Sequence, residues 1–244
     1  MEQKHNSITE DEVNNVKPHL HKTQCCVQPF SVHNEPLSEL YNMDCIQGMK
    51  HYPDKYFDLA ICDPPYGINV NMNMGVRKGE KRKHQSKDWD KETPNNEYFT
   101  ELFRVSKNQI IWGANNFIDS LTNKTGWIFW DKEITGDVPF SSGELAWTSF
   151  DCALKKVSIQ IQSNYLIEKR IHPTQKPTRL YNWILDNYAE KGMRILDTHL
   201  GSGSSRISCY KNGFDFVGFE IDKQYCEASE KYFVNAISQQ RLSF

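Results

Sequence analysis

The stretch MRILDTHLGSGSSRISCYKNGFDFVGFEID, residues 193–222, decides the fold that this sequence predicts. An apolar strand ends at Asp197, and a turn containing Gly201 and Gly203 leads into a helix. A second apolar strand follows that helix and ends at Glu220. Strand, glycine turn, helix and strand in this order are typical of one parallel unit of an α/β sheet.

The same alternation of apolar strands and helices extends over most of the chain from residue 38 onward. The unbroken apolar run FDLAICD is typical of a strand that is buried on both faces. The predicted fold is therefore α/β, with a doubly wound and mostly parallel sheet. Two later strands, GELAWTSF and KVSIQIQ, are expected to be more antiparallel in character. Helical stretches are predicted at NEYFTELFRVS, NFIDSLTN, PTRLYNWILDNYA and KQYCEASEKYFVNAI.

The composition indicates one large domain and excludes several classes of protein. The 244 residues are 38% hydrophobic and carry a net charge of −2, so a sizeable core is expected. No stretch approaches the roughly 18 apolar residues of a membrane span, and the N-terminus lacks an apolar signal core. We therefore expect a soluble, cytoplasmic protein. The seven cysteines are scattered without a CxxC pair, which favours small buried side chains over a metal site or disulfides.

Polarity divides the chain into segments. Residues 1–34 are polar and unpatterned and are predicted to form a loose N-terminal tail, whereas residues 35–244 form the patterned domain. Within that domain, residues 68–95 are a long basic loop, which is either a solvated loop or one that contacts phosphates. The run GVRKGEKRKHQSKDW within it carries Arg77, Lys78, Lys81, Arg82, Lys83 and Lys87.

Several strand ends carry residues suited to one ligand. Glycines at a turn let the backbone approach a ligand closely, and an acid such as Glu220 at the next strand end can accept hydrogen bonds from ribose hydroxyls. Together they indicate a nucleoside-type ligand, while the missing third glycine of G-x-G-x-x-G argues against a dinucleotide. Thr174 and Lys176, in HPTQKPTRL, either hold an anionic end of that ligand or belong to an ordinary loop.

The tetrad Asp63-Pro64-Pro65-Tyr66 follows the buried strand FDLAIC. Two prolines fix the backbone and remove two N–H donors, which leaves a stiff turn presenting an acid, carbonyls and an aromatic ring. A planar amine can donate to Asp63 and to the Pro64 carbonyl, and Tyr66 can stack on the ring that bears the amine. The alternative is a stiff turn with a packed tyrosine.

Together these motifs resemble the S-adenosylmethionine-dependent DNA amino-methyltransferases. DPPY resembles the catalytic motif of that family, and DTHLGSGSS resembles its cofactor loop. DPPY precedes the glycine loop here, with HPTQKP just before that loop, which is the permuted order of the β group. The resemblance covers residues 38–236 and implies a Rossmann-like methyltransferase fold with circularly permuted motif order. Thr198 and His199 depart from the Pro-Phe pair that usually follows the acid in this family.

The resemblance also implies residue roles, with S-adenosyl-L-methionine as cofactor. The catalytic residues would be Asp63, Pro64, Pro65 and Tyr66. The cofactor-binding residues would be Asp44, Thr174, Lys176, Asp197, Leu200, Gly201, Ser202, Gly203, Glu220 and Ile221. The basic loop would contact DNA, and residues 132–165 would hold a small target-recognition segment.

Aspartate in the first tetrad position implies transfer to the N6 amine of adenine in double-stranded DNA, since cytosine-N4 members usually carry serine there. The resemblance also implies a homodimer, and it leaves open whether the enzyme acts with a restriction endonuclease partner, alone or for a phage. The open alternatives are a cytosine-N4 DNA methyltransferase, a methyltransferase for RNA adenine or a protein amide, and a catalytically silent DNA-binding module. Asn115 and Asn116, at another strand end, either touch substrate or cap the following helix.

Overall fold

The computed structural model describes residues 35–68, 91–134, 141–161, 168 and 170–241. Eight strands and five α-helices lie within these ranges. The strands are β1 (Ser38–Tyr41), β2 (Phe57–Cys62), β3 (Ser106–Trp112), β4 (Trp127–Asp131), β5 (Gly143–Thr148), β6 (Lys155–Ser158), β7 (Arg194–Asp197) and β8 (Asp215–Phe219). The helices are α1 (Cys45–Met49), α2 (Asn96–Val105), α3 (Thr178–Tyr188), α4 (Ser204–Lys211) and α5 (Lys223–Arg241).

The strands form one sheet in the order β1-β8-β7-β2-β3-β5-β4-β6. The five strands from β1 to β3 in that order pair in parallel, which confirms the predicted mostly parallel α/β sheet. Strand β5 is antiparallel to both of its neighbours, β3 and β4. Because β5 is antiparallel to both of these strands, β4 runs in the same direction as β3.

The expected antiparallel character of KVSIQIQ is wrong, since β6 pairs in parallel with β4. Alternation of apolar and polar residues shows that a segment is a strand, but strand direction depends on which neighbour it pairs with.

The predicted helix at NFIDSLTN is also wrong. This part of the chain instead forms the 3₁₀ turns Ala114–Asn116 and Ile118–Ser120. The Asn116 amide donates to the Gly113 carbonyl at 2.9 Å, a local bond that competes with an α-helix.

The core lies on both faces of the sheet, as the unbroken apolar strands predict. Leu59 and Ile61 of β2 and Ile110 of β3 are fully or almost fully buried, and Leu180 and Ile184 cover them from α3. Of the five cysteines in the described ranges, four are buried and Cys152 is half-buried, which agrees with their predicted role as small apolar side chains.

Several predicted segments lie wholly or partly outside the described residues. These are the N-terminal tail, residues 69–90 of the basic loop with the six basic residues named above, and parts of 132–165. The described part of 132–165 includes β5 and β6, which are strands of the central sheet. Among the described helices, none combines the length and apolarity that crossing a membrane requires.

The contact between α1 and β8 leaves no room for a side chain at Gly48. A Cβ atom at this position would lie 2.4 Å from the Phe219 ring, which is itself fully buried. We expect Gly48→Ala to lower the free energy of unfolding by about 1–3 kcal/mol, because overpacking of a core costs that much. The urea midpoint measures this change. Gln47→Ala, at the exposed neighbouring position, should leave the midpoint nearly unchanged, and equal midpoints for the two variants would contradict this packing.

Candidate functional site

Parallel strands bring the polar strand ends to one edge of the sheet. Asp44 follows β1, Asp63 follows β2, Asp197 ends β7 and Glu220 follows β8. A cavity of about 260 Å³ opens at this edge. The predicted site residues that line it are Asp44, Asp63, Pro65, Thr174, Lys176, Leu200, Gly201, Ser202, Glu220 and Ile221.

The glycine loop is tied to the end of β8. Gly201 and Gly203 have φ angles of 54° and 77°, the left-handed region that favours glycine. The Gly201 N–H donates to Glu220 Oε2 at 2.8 Å, and the Asp222 N–H donates to Oε1 at 2.8 Å. A carboxylate oxygen can accept more than one hydrogen bond, so Glu220 can also serve hydroxyls of a ligand in the cavity.

Asp197 lies beneath the loop rather than on the cavity wall. Its carboxyl is 1% exposed and accepts hydrogen bonds from the His199 N–H at 3.0 Å and the Ser205 hydroxyl at 2.6 Å. Burial raises the pKa of Asp197 to about 7, and the hydrogen bonds oppose that shift. Gly203 is also buried behind the wall. These two residues therefore shape the loop, whereas the other predicted cofactor residues face the cavity.

His199 forms part of the floor of the cavity, and the sequence analysis assigned it no role. Its Nδ1 lies 2.9 Å from Thr198 Oγ1, and that oxygen lies 2.8 Å from the hydroxyl of Tyr98 on α2. Burial lowers the pKa of His199 to about 4, so the ring is neutral at physiological pH. The His199 ring also meets the Tyr98 ring edge-on, with centroids 5.2 Å apart. The Thr198-His199 pair thus fills the floor with a hydrogen-bonded chain.

The HPTQK segment lines the cavity beside the glycine loop. The His172 ring packs edge-on against Tyr225 of α5, with centroids 4.3 Å apart. His172 Nδ1 lies 3.1 Å from Thr174 Oγ1, which fixes Thr174 at the wall. Gln175 accepts a hydrogen bond from the Ile171 N–H at 2.8 Å. His172 and Tyr225 line the cavity and were not among the predicted site residues.

The Asp63 turn is the most highly charged part of the site. The Tyr66 hydroxyl donates to Asp63 Oδ1 at 2.6 Å, and Lys176 Nζ lies 2.5 Å from Asp63 Oδ2. Lys176 also pairs with Glu144 at 3.0 Å, and Lys132 pairs with Glu144 at 2.7 Å. Lys176, predicted to hold an anionic ligand end, thus lies between two carboxylates while also lining the cavity.

The position of Tyr66 depends on Gly113, the residue after β3. A Cβ atom at Gly113 would lie 2.0 Å from the Tyr66 ring, and the φ of Gly113 is 67°. Only glycine therefore lets the ring occupy this place.

Asn115 and Asn116 follow Gly113 in the chain, and their side chains are exposed. Neither of them caps an α-helix.

Burial and the neighbouring charges have opposing effects on the pKa values of the groups in this cluster. Burial raises the pKa of Asp63, and Glu144 adds to that rise while Lys176 opposes it. Burial also favours the neutral form of Glu144, but Lys176 and Lys132 outweigh it and hold the pKa of Glu144 at about 2. The pKa of Lys176 lies above its ordinary value because Asp63 and Glu144 outweigh burial. Burial and the nearby carboxylates raise the pKa of Tyr66, so its hydroxyl stays a donor.

This arrangement can bring two ligands together. The cavity offers the Glu220 carboxylate and the backbone of a glycine loop, which suit a nucleoside. Asp63 and Pro65 line the same cavity, so the DPPY turn can present a planar amine to the cavity that suits the nucleoside. In the part of the chain that the structure describes, no three histidine, cysteine, aspartate or glutamate side chains are grouped so that they could hold a metal ion.

Comparison with known proteins finds similarity to DNA methyltransferases, the family that the sequence motifs resemble. Residues 120–231 match the family model described as DNA methylase. The type II methyltransferase M.HinfI from Haemophilus influenzae is 22% identical over an alignment that covers 81% of this chain and 68% of the relative. These similarities support the predicted resemblance to DNA methyltransferases over the matched residues.

Solved structures share the fold at low sequence identity. The M1.HpyAVI–SAM complex has a TM-score of 0.52 at 17% identity, covering 79% of this chain and 98% of that chain. The PvuII DNA methyltransferase, described as cytosine-N4-specific, has a TM-score of 0.55 at 11% identity, covering 81% and 87%. These similarities confirm the predicted Rossmann-like methyltransferase fold.

The raised pKa of Asp197 predicts a pH-dependent contribution to stability. A carboxyl that binds its proton more tightly in the folded state stabilises the fold at low pH. This contribution is lost as the pH rises from 3.8 to about 7. In urea unfolding, the stability of Asp197→Asn relative to wild type should therefore increase over that range. A stability difference between Asp197→Asn and wild type that stays constant over this range would refute the assignment.

Proposed function

We propose that this chain, which has the methyltransferase fold and matches the DNA methylase family over residues 120–231, is an S-adenosylmethionine-dependent DNA methyltransferase acting on the N6 amine of adenine. One observation carries the proposal: Asp63 and Glu220 line the same cavity at the carboxyl edge of the sheet. The group that can hold a target amine therefore lines the same cavity as the group that can hold a nucleoside cofactor.

The residues at the cavity fit S-adenosyl-L-methionine. Glu220 would accept hydrogen bonds from its ribose, and Asp44 and Ile221 would border its adenine. Thr174 and the loop from Leu200 to Ser202 would surround its methionine part, over the turn that Asp197 and Gly203 hold in place. When bound, S-adenosylmethionine supplies an electrophilic methyl group on a sulfonium.

The DPPY turn would prepare the amine for transfer. An exocyclic amine of adenine is a poor nucleophile, because its lone pair is delocalised into the ring. Hydrogen bonds from the amine to Asp63 and to the Pro64 carbonyl would localise the lone pair, and Pro65 keeps the turn stiff. Tyr66 donates to Asp63 and so helps to hold the carboxylate in place. The chain's contribution is positioning and electrostatics, with no covalent intermediate on the protein.

The DNA side of the proposal comes from the sequence. The target adenine would leave the duplex, which costs a few kcal/mol, and Tyr66 is positioned at the turn that would receive it. The basic loop at 68–95 would contact phosphates, and residues 132–165 would contribute to target recognition. A homodimer, a restriction endonuclease partner, a cytoplasmic location and membership of the β group remain predictions.

The methylated base identifies the reaction. We expect N6-methyladenine in DNA from cells that express the chain, measured by mass spectrometry of digested nucleosides. N4-methylcytosine would correct the base, and methylation confined to RNA or protein would correct the substrate. If purified protein bound DNA but transferred no methyl group to any of these substrates, the catalytically silent binding module would be the better description.

The role of Asp63 predicts a separation of binding from transfer. Asp63→Ala should bind S-adenosylmethionine with nearly the wild-type dissociation constant in calorimetry, yet lose methyl transfer to DNA by at least about 100-fold, as expected for a group that acts on the reacting atom. Asp119→Ala, an exposed acid away from the cavity, should retain both properties. Wild-type transfer in Asp63→Ala would sink the assignment.

The role of Glu220 predicts the opposite pattern. Glu220→Gln should weaken S-adenosylmethionine binding by about 10-fold or more, since a hydrogen bond to a charged group contributes about 1.5–3 kcal/mol. Glu227→Gln, at an exposed position on α5, is the matched control and should bind normally. An unchanged dissociation constant for Glu220→Gln would exclude the ribose role.

A further inference from the structure

Two charged residues of the site, Glu144 and Lys132, belong to a part of the chain that carries none of the motifs recognised in the sequence. Glu144 is in β5, and Lys132 directly follows β4. Because β5 is antiparallel to β3 and β4, its first residues lie at the edge where β4 ends, and Glu144 pairs with Trp130 in the sheet. This places both side chains at the same edge as Asp63.

The four charges form a chain through Lys176. Asp63 contacts Lys176 at 2.5 Å, Lys176 contacts Glu144 at 3.0 Å, and Glu144 contacts Lys132 at 2.7 Å. The Lys176 side chain is 3% exposed, and those of Lys132 and Glu144 are 11% and 21% exposed. Two carboxylates and two ammonium groups balance, so removal of one member leaves an unpaired charge at a largely buried place.

The pairing with Lys176 reduces the capacity of Asp63 to accept a further hydrogen bond. A carboxylate has about four acceptor positions, and Tyr66 and Lys176 already use positions on both Asp63 oxygens. Glu144 draws Lys176 to a second carboxylate, and its own pairing with Lys132 limits how strongly it does so. The division of the Lys176 ammonium between Asp63 and Glu144 therefore sets how basic Asp63 is.

We propose that Glu144 and Lys132 are positioning residues that divide Lys176 between two carboxylates and thereby set how strongly Asp63 accepts a hydrogen bond from the target amine. This inference rests on the proposed function and extends it to residues outside the recognised motifs. Glu144 withdraws Lys176 from Asp63, and Lys132 prevents Glu144 from withdrawing it completely. Neither residue touches the amine in this role; both act through Lys176.

The groups that face Asp63 come from several elements, and they determine the expected signs. They are Tyr66 of its own turn, Lys176 before α3, Tyr181 of α3, Glu144 of β5 and Asp197 of β7. Loss of the Glu144 charge removes a repulsive carboxylate and returns Lys176 to Asp63, so Asp63 becomes a stronger acid. Loss of the Lys132 charge frees Glu144 to attract Lys176, so Asp63 becomes a weaker acid.

The test is the pH dependence of methyl transfer in two isosteric or near-isosteric variants. The single-turnover rate on DNA should decrease on the acid side as Asp63 is protonated. Glu144→Gln should move this acid limb to lower pH, and Lys132→Gln should move it to higher pH, each by about one pH unit, as for a charge within a few ångströms. Lys132→Arg keeps the charge and should restore the wild-type limb.

Controls keep the two proposals separate. Lys156→Gln breaks an exposed ion pair with Asp131 on the same sheet and should leave the limb unchanged. A wild-type protein that methylates nothing at any pH defeats the proposed function. An active wild type whose acid limb does not move, or moves in the same direction in both variants, overturns the role of Glu144 and Lys132 alone.

A second measurement follows the pKa of Asp63 directly and does not depend on methyl transfer. The pKa of Asp63, followed by the carboxyl ¹³C shift of aspartate-labelled protein without ligands, should fall in Glu144→Gln and rise in Lys132→Gln. If either single variant does not fold, the double variant Glu144→Gln/Lys132→Gln retains a balanced Asp63–Lys176 pair. Its Asp63 pKa should lie below that of wild type, and a value equal to or above wild type contradicts the proposal.

Discussion

The site depends on strand direction. Strands β1, β8, β7 and β2 are parallel neighbours, so the residues after their last positions meet at one edge of the sheet. That constraint brings Asp44, Asp63 and Glu220 to one cavity although they lie far apart in the chain. In open α/β sheets ligands bind at this carboxyl edge, because the loops there converge while the strands below stay rigid.

The reversed strand β5 adds charge to this edge. Its antiparallel pairing lets a strand contribute its first residues, rather than its last, at the place where the other strands end. Glu144 enters the site in this way, and the ion pairs with Lys132 and Lys176 compensate its charge. Lys176 in turn joins the segment before α3 to the DPPY turn, so segments more than a hundred residues apart share one ion pair.

Hydrogen bonds beneath the cavity keep the glycine loop in one shape. Asp197 is buried and bonded to the loop on one side, while Glu220 accepts from the loop on the other. The Thr198-His199 pair, where the resembling family usually has Pro-Phe, continues this support through Tyr98 of α2. A polar chain of hydrogen bonds therefore performs the supporting role at the floor, and the neutral state of His199 follows from its burial.

The sequence by itself determined the fold class, the strand-end acids and the DPPY turn, because apolar runs, glycine turns and paired prolines are local signals that need no partner. It also led to ten of the residues that line the cavity. Only the tertiary structure decided the parallel direction of β6, the supporting place of Asp197 beneath the loop, and the position of Lys176 between two carboxylates. Glu144, Lys132 and Gly113 were missed for the same reason. Their role depends on which strands are neighbours and in which direction they run, and residue spacing along one strand carries no such information.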